Sequence, residues 1–273
     1  HVYEDVTLEV DQWKTIILAD NTSFQYRPRD GHGIAVDIGT TTLVAQLIDL
    51  REGKVINAVT GTNPQSRYGA DIMSRVEYAV SKDRKKLTEI IREKTGQMVQ
   101  QLIEERQVAL TKILIVGNSV MHHLFCGLDL DPLATYPFES PHTQVQMFSK
   151  KKLGWKVSGN PEIVFMPPIA SFVGSDVLAG ILASRIHERE EICCLIDLGT
   201  NGELVLGNRE SLICASTAAG PAFEGTNISM GMTATTGALS SLHFNGETLD
   251  YHIIGNRSPR GICGSGLIDS IAW

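Results

Sequence analysis

Two short stretches hold the residue types from which a phosphate-handling site can be built. "AVDIGTTT" runs from Ala35 to Thr42, and "LIDLGTNGEL" from Leu195 to Leu204. In each, two apolar β-formers precede an aspartate, one apolar residue follows, and Gly-Thr comes next. Glycine directly after a strand permits a backbone turn that a side chain would block. The turn then presents consecutive backbone N–H groups outward. Gly39 with Thr40, Thr41 and Thr42, and Gly199 with Thr200, Asn201, Gly202 and Glu203, therefore read as two anion cradles. Asp37 and Asp197, at the strand ends, can hold a hydrated Mg2+ or orient water, and are the candidate catalytic and metal-bearing carboxylates. Phosphoryl chemistry requires mainly this kind of positioning and charge stabilisation. The plainer alternative is two ordinary hairpins whose Asp and Thr satisfy their own backbone. Two copies at the same place in a restarted topology favour phosphate. No G-x-x-x-x-G-K-[ST] and no strand-following G-x-G-x-x-G competes for that role.

Other segments add candidates. "VGNSVMHH" places Asn118 at a strand-to-helix junction facing the expected cleft, with a helix cap as the alternative reading. "GICGSGL" puts Gly264, Ser265 and Gly266 at a helix N-terminus, where phosphates are favoured. "STAAGPAFEGTNISMGM" is rich in glycine; Gly220 within it is a candidate nucleotide contact, and Ser216, Glu224 and Ser229 are candidate partner-facing groups. Gln65, Arg67, Asp71 and Arg75 in "NPQSRYGADIMSR" could reach ligand or partner. His122 and His123 are adjacent, so on a helix they face different sides and cannot ligate one metal together; they are expected to be structural.

The elements that position these residues come in two rounds. "VTLEV" and "KTIILAD" read as short strands, and "NTSFQYRPRDGHG" as a linker. Gly33–Asp37, Thr41–Leu50 and "VINAVTGT" then form a three-strand meander. Ile72, Met73, Val76, Ala79 and Val80 share one helical face, and a longer amphipathic stretch runs from Leu87 to Ile103. "KILIVG" is a buried strand, "SVMHHLFC" a helix capped by Ser119, "EIVFMPP" a strand, and "GSDVLAGILASRI" a helix starting at Ser175 or Asp176. The order then restarts with "ICCLIDLG", "GELVLG" and "SLICAST", a hairpin turning at Asn245-Gly246, and a helix after Cys263. Residues 1–32 read as a linker segment with short strands, 33–190 as a first α/β lobe, and 191–273 as the start of a second. The expected architecture is a duplicated one, two lobes facing each other across a cleft, with one large mixed sheet as the alternative.

Composition bounds the rest. The chain has 273 residues, a formal net charge of −7, 42% hydrophobic and 20% charged residues. The acidic balance argues against a nucleic-acid or anionic-membrane surface, and no apolar run approaches the roughly 20 residues of a membrane span. Five cysteines without C-x-x-C spacing suit a reducing, cytoplasmic setting and buried thiols rather than a disulfide framework. The chain opens at His1 and stops in "GLIDSIAW" without a helix stop signal, so an excerpt of a longer protein is expected.

"GIAVDIGTTT", "NPQSRYGADIMSR", "VGNSVMHHLFCGL", "PPIASFVGSDVLAG", "IDLGTNGELVLG", "AAGPAFEG" and "GICGSGLID", taken together and in this order, resemble the ATP-dependent reductive activators of corrinoid proteins. These belong to the superfamily of acetate and sugar kinases, seventy-kilodalton chaperones and actin. The resemblance implies duplicated ribonuclease H-like (actin-like ATPase) lobes with mixed sheets, the second incomplete here. It implies ATP and Mg2+ as cofactors, and an ATPase that drives a partner corrinoid protein from Co(II) to Co(I) for anaerobic methyl transfer. It implies a homodimer, and a [2Fe–2S] domain upstream of this segment that takes electrons from a low-potential donor. Asp37 and Gly39–Thr42 look like the first phosphate hairpin, and Asp197 and Gly199–Glu203 like the second. ATP gripped by both would bias the angle between lobes, which a ligand does only through contacts that differ between the two states. The alternatives are a small-molecule kinase of the same fold and a non-catalytic nucleotide switch.

Overall fold

The computed structural model describes residues 14–17, 23–104, 108, 110–218, 228–244, 246 and 248–272. It divides into two compact units, 1–190 and 191–273. In the first unit, β1 (Lys14–Ile17) and β2 (Ser23–Tyr26) form a separate antiparallel pair. β2 lies inside the polar run that reads as a linker, so that run is partly ordered.

The main sheet of this unit grows outward from β3 (His32–Ile38). On one side β4 (Thr42–Asp49) and β5 (Lys54–Thr62) follow as an antiparallel meander. On the other, β6 (Leu110–Gly117) and β8 (Glu162–Phe165) add in parallel, and β7 (Gln146–Phe148) closes the edge antiparallel to β8. The order is β5-β4-β3-β6-β8-β7. Period-two alternation explains the burial. Ile34, Val36 and Ile38 pair with Leu47, Ala45 and Leu43 on one face, and all six are core residues. α2 (Arg84–Glu104) lies against β4 and β5 and contributes Leu87, Ile91, Met98, Val99 and Leu102 to the same core.

α1 (Ile72–Tyr78) runs into α2 through a π-turn at Ala79–Asp83. Periodicity places Met73 and Val80 on the inner face. The structure buries Val76 and Ala79 as expected, but exposes Met73 and Val80 and buries Arg75. The face that α1 turns inward is thus rotated from the apolar stripe, and the Arg75 side chain is taken up by the carbonyl of Gly69 and the sulfur of Met121. α3 (Ser119–Cys126) follows β6, and its N-cap is Asn118 rather than the expected Ser119. The Asn118 side chain accepts the Met121 N–H, whereas the Ser119 hydroxyl donates to the Ala170 carbonyl. α4 (Asp131–Ala134), α5 (Lys150–Leu153) and β7 lie between α3 and β8. α6 (Ser175–Ser184) packs on β6.

The second unit repeats the opening. β9 (Cys193–Leu198), β10 (Asn201–Gly207) and β11 (Leu212–Ala218) form an antiparallel meander. A second small sheet holds β12 (Ala238–Phe244) between antiparallel β13 (Leu249–Ile253) and parallel β14 (Gly261–Ile262), and α7 (Gly264–Ile271) packs on β12. In the first unit the face carrying the residues on either side of the aspartate is core. In the second, Ile196, Leu198, Leu204, Leu206 and Ile213 share the corresponding face and stay exposed.

Candidate functional site

The first hairpin is tight and braced. The Gly39 N–H donates to the Thr42 carbonyl at 3.0 Å, and a Cβ on Gly39 would lie 2.5 Å from that oxygen. Only glycine fits this approach. From behind, the Asn63 backbone N–H donates to the Thr41 carbonyl at 2.8 Å. The Asn63 amide donates to the Gly39 carbonyl at 2.9 Å, while its oxygen accepts the Gln65 N–H at 3.0 Å. Asn118 braces from the side, donating through Nδ2 to Thr40 Oγ1 at 2.9 Å. Thr40 is only 5% exposed. A hydroxyl that accepts from Asn118 keeps its own proton for a second partner. Asp37 is exposed, and Thr41 and Thr42 are half-buried.

Asn118 is itself held in place by α6. A Cβ on Gly174 would fall 2.4 Å from Asn118 Cα and 2.5 Å from the Gly117 carbonyl oxygen. The Ser175 hydroxyl accepts the Gly117 N–H at 3.2 Å. Asn63, Gly174 and Ser175 are the supporting residues that sequence reasoning passes over. The available signals were an Asn-Pro step at Asn63-Pro64, which marks a turn, and a glycine directly before the helix at Ser175.

The second hairpin is not a copy of the first. The Gly199 N–H donates to the Asn201 carbonyl at 3.1 Å, a loop one residue shorter than that of Gly39. A Cβ on Gly199 would meet the Asn201 oxygen at 3.3 Å, a milder contact. The shorter loop changes what faces the aspartate. Asp37 pairs across the ladder with Val44, whereas Asp197 pairs with Glu203 and Glu203 in turn with Ser216. Directly opposed residues share a face, and like charges placed so repel. Glu203 is 7% exposed and accepts the Ser216 hydroxyl at 3.2 Å. Surrounding protein raises the Asp197 carboxyl above its ordinary value by desolvation, although the residue keeps solvent access. The Asp197 and Glu203 side chains thus share one face of the meander. Thr200 is buried; Asn201 and Gly202 are half-buried.

Elsewhere the structure gives packing explanations. A Cβ on Gly266 would sit 2.2 Å from the Leu239 carbonyl, so this glycine lets α7 approach β12. Gly264 is buried, and the Ser265 hydroxyl donates to the Ser240 carbonyl at 2.8 Å. Ser216 bonds Glu203, and Ser229 is exposed. Gly220 and Glu224 lie outside the described residues. Among the candidates of the first unit, Gln65 is buried with its amide on the Leu87 carbonyl, Asp71 caps α1 and is exposed, Arg67 is exposed, and Arg75 is buried. Burial pushes the Arg75 guanidinium down to about 10, with Asp71 opposing the shift.

His122 and His123 are both buried. His123 Nδ1 lies 2.7 Å from the Ser119 carbonyl and Nε2 2.6 Å from the Ser140 hydroxyl. His122 packs edge-on to Phe165 with ring centroids 5.0 Å apart, and neither ring nitrogen has a hydrogen-bond partner. Burial, with smaller contributions from His123 and His142, pushes it down to about 4. All five cysteines are free; against the expectation of buried thiols only Cys263 is buried, Cys126, Cys193 and Cys214 are half-buried, and Cys194 is exposed on the open face of the second meander. No group of three or more His, Cys, Asp or Glu among the described residues could hold a metal by itself. None of their helices is long and apolar enough to cross a membrane.

This arrangement, two Asp-x-Gly-Thr hairpins, the first of them braced, each opening an antiparallel meander, can be set beside known proteins. The profile of the RACo middle region matches residues 32–189, and that of the C-terminal ASKHA domain of RACo matches residues 191–273. The chain belongs to the RACo family. The corrinoid activation enzyme RamQ of Eubacterium limosum is 34% identical over 284 aligned positions, covering 100% of this chain and 47% of RamQ. The reductase of the Co(II) methylated-amine-specific corrinoid protein from Methanosarcina barkeri is 30% identical, covering 79% of this chain and 41% of that protein. Among solved structures, a reductive activator for corrinoid, iron–sulfur protein superposes with a TM-score of 0.79 at 32% identity, covering 95% of this chain and 43% of that one. The chain thus spans about half the length of the curated relatives it matches. The expected actin-like α/β fold with mixed sheets holds for this RACo family chain.

Proposed function

We propose that this chain is the ATP-handling region of a protein that reductively activates a corrinoid partner. The cobalt would go from Co(II) to Co(I) by taking up one electron from a low-potential donor, and hydrolysis of ATP to ADP and phosphate would drive the change. The observation that supports this reading is the pair of Asp-x-Gly-Thr hairpins, one in each region that matches RACo. Each hairpin would offer backbone N–H groups and hydroxyls to phosphate oxygens, from Thr40–Thr42 in the first and Thr200–Gly202 in the second, while the Gly39 and Gly199 N–H groups close their own turns. Thr40 is aimed by Asn118, so its hydroxyl is ordered before a ligand arrives.

The residues also fit Mg2+, which binds through one or two carboxylates together with phosphate oxygens and needs no protein cage. Asp37 in the first unit, and Asp197 with Glu203 opposite it in the second, are the candidate carboxylates for it, through water; when bound it would neutralise charge on the phosphates. Asp197, with its raised carboxyl, is the better placed of the two to take a proton from an attacking water. A homodimer, an upstream [2Fe–2S] domain and a cytoplasmic setting complete the reading. The relatives named for corrinoid activation and reduction support the choice of partner.

The test uses the intact protein, a low-potential reductant, and a corrinoid protein poised as Co(II). The Co(I) absorption band is expected with Mg-ATP and not without it. Unchanged Co(II) spectra across several corrinoid partners, with ATP present, would overturn the proposal.

A further inference from the structure

Arg75 is 0% exposed, and its Nη2 has no hydrogen-bond partner. Its Nε donates to the Gly69 carbonyl at 2.9 Å, and Nη1 approaches the Met121 sulfur at 3.7 Å. No carboxylate is paired with it among the described residues; Asp71 acts only through its field, from the exposed N-cap of α1. A buried cation without a counter-ion is costly and needs compensation from somewhere. The contacts around Arg75 show where its field falls. Met121 Sδ, which Nη1 touches, is also 3.4 Å from the Asn63 amide, and that amide donates to the Gly39 carbonyl at 2.9 Å. These contacts run in series from the buried guanidinium, through Met121 and Asn63, to the turn of the first hairpin.

We infer that Arg75 is an electrostatic positioning residue for the anion held at Gly39–Thr42: its charge raises the affinity of that hairpin for phosphate without touching it, and the phosphate serves as its missing counter-ion. The inference rests on the nucleotide reading above. It has a specific signature. A through-space effect grows with the charge of the ligand, whereas a packing role affects every ligand alike. A field acting through packed protein changes affinity by a larger factor for each added unit of ligand charge, and salt reduces it.

The experiment is calorimetric titration of the intact protein with ATP, ADP and adenosine at two ionic strengths. Arg75→Met, which keeps length and removes charge, is expected to weaken ATP about tenfold, ADP less, and adenosine not at all. Arg75→Lys should retain most of the ATP affinity. Because Arg75→Met could fail to fold, Asp71→Asn gives an independent reading. Asn keeps the α1 cap and removes the negative field opposing Arg75, so ATP should bind severalfold tighter while adenosine is unchanged. Equal losses for all three ligands in Arg75→Met, or no change of ATP affinity in Asp71→Asn, overturn the inference. Failure of the wild-type protein to bind ATP would instead remove the nucleotide reading on which it stands.

Discussion

Asn118 performs two jobs with one side chain, and they can be separated. Its Oδ1 caps α3 by accepting the Met121 N–H at 3.0 Å, and its Nδ2 donates to Thr40 Oγ1 at 2.9 Å. Asn118→Ala removes both. Loss of an N-cap costs about 1 kcal/mol, and a buried hydroxyl stripped of its partner costs about 1–3 kcal/mol. The expected loss is therefore about 2–4 kcal/mol, or a fall in melting temperature of roughly 5–15 °C for a unit of this size. Asn118→Ser keeps a cap oxygen but cannot reach Thr40, so it should lose only about 1–3 kcal/mol. Urea unfolding monitored by circular dichroism gives the stabilities, and ATP titration gives the functional effect. Both variants should weaken ATP to a similar degree, because both release Thr40. A stability for Asn118→Ala within about 0.5 kcal/mol of wild type, or Asn118→Ser no more stable than Asn118→Ala, would refute the division of labour.

Three further outcomes are expected. Gly174→Ala drives a Cβ into the backbone of Asn118 and Gly117, so it should destabilise the first unit by more than about 3 kcal/mol and reduce ATP binding with it; a wild-type melting curve would contradict this. His122 is held well below its ordinary value, at about 4, so its neutral form is the folded one. Stability is fully present above about 6.5 and is lost as pH falls from there towards 4, by up to roughly 3 kcal/mol; denaturant unfolding of His122→Leu across that window should show a shallower slope. Asp197→Asn removes a desolvated carboxylate opposite Glu203. It should leave the melting temperature equal or higher while ATP turnover drops about a hundredfold or more; loss of stability together with activity would argue against a catalytic role.

The sheets were legible in the sequence because their signal is local. Ile34, Val36 and Ile38 alternate with polar or small residues, and a turn residue follows directly. α1 was harder, because its register depends on a π-turn that no single residue announces, and on the burial of Arg75 in place of Met73. The cap of α3 was misplaced by one residue for a related reason. Asn118 and Ser119 are both good caps, and only the three-dimensional positions of Thr40 and Ala170 decide which side chain goes where. The two Asp-x-Gly-Thr stretches were visible as a repeat. The difference between them, a single residue of loop, becomes meaningful only once the ladder sets Glu203 opposite Asp197 and Val44 opposite Asp37. The bracing by Asn63 joins positions 24 residues apart in the chain, a spacing that carries no periodic signature.

That bracing affects the thermodynamics of ligand capture. Asn63 fixes two of the carbonyls of the Gly39–Thr41 turn, and Asn118 fixes the Thr40 hydroxyl. The conformational entropy of the loop is thus surrendered during folding, before any anion arrives. Association at this hairpin should accordingly be fast and carry little ordering penalty, with amide exchange at Gly39 and Asn63, whose N–H groups are bonded, already slow in the absence of ligand. The first hairpin is set by an asparagine on the following turn, so any anion that binds there would meet a loop already in place.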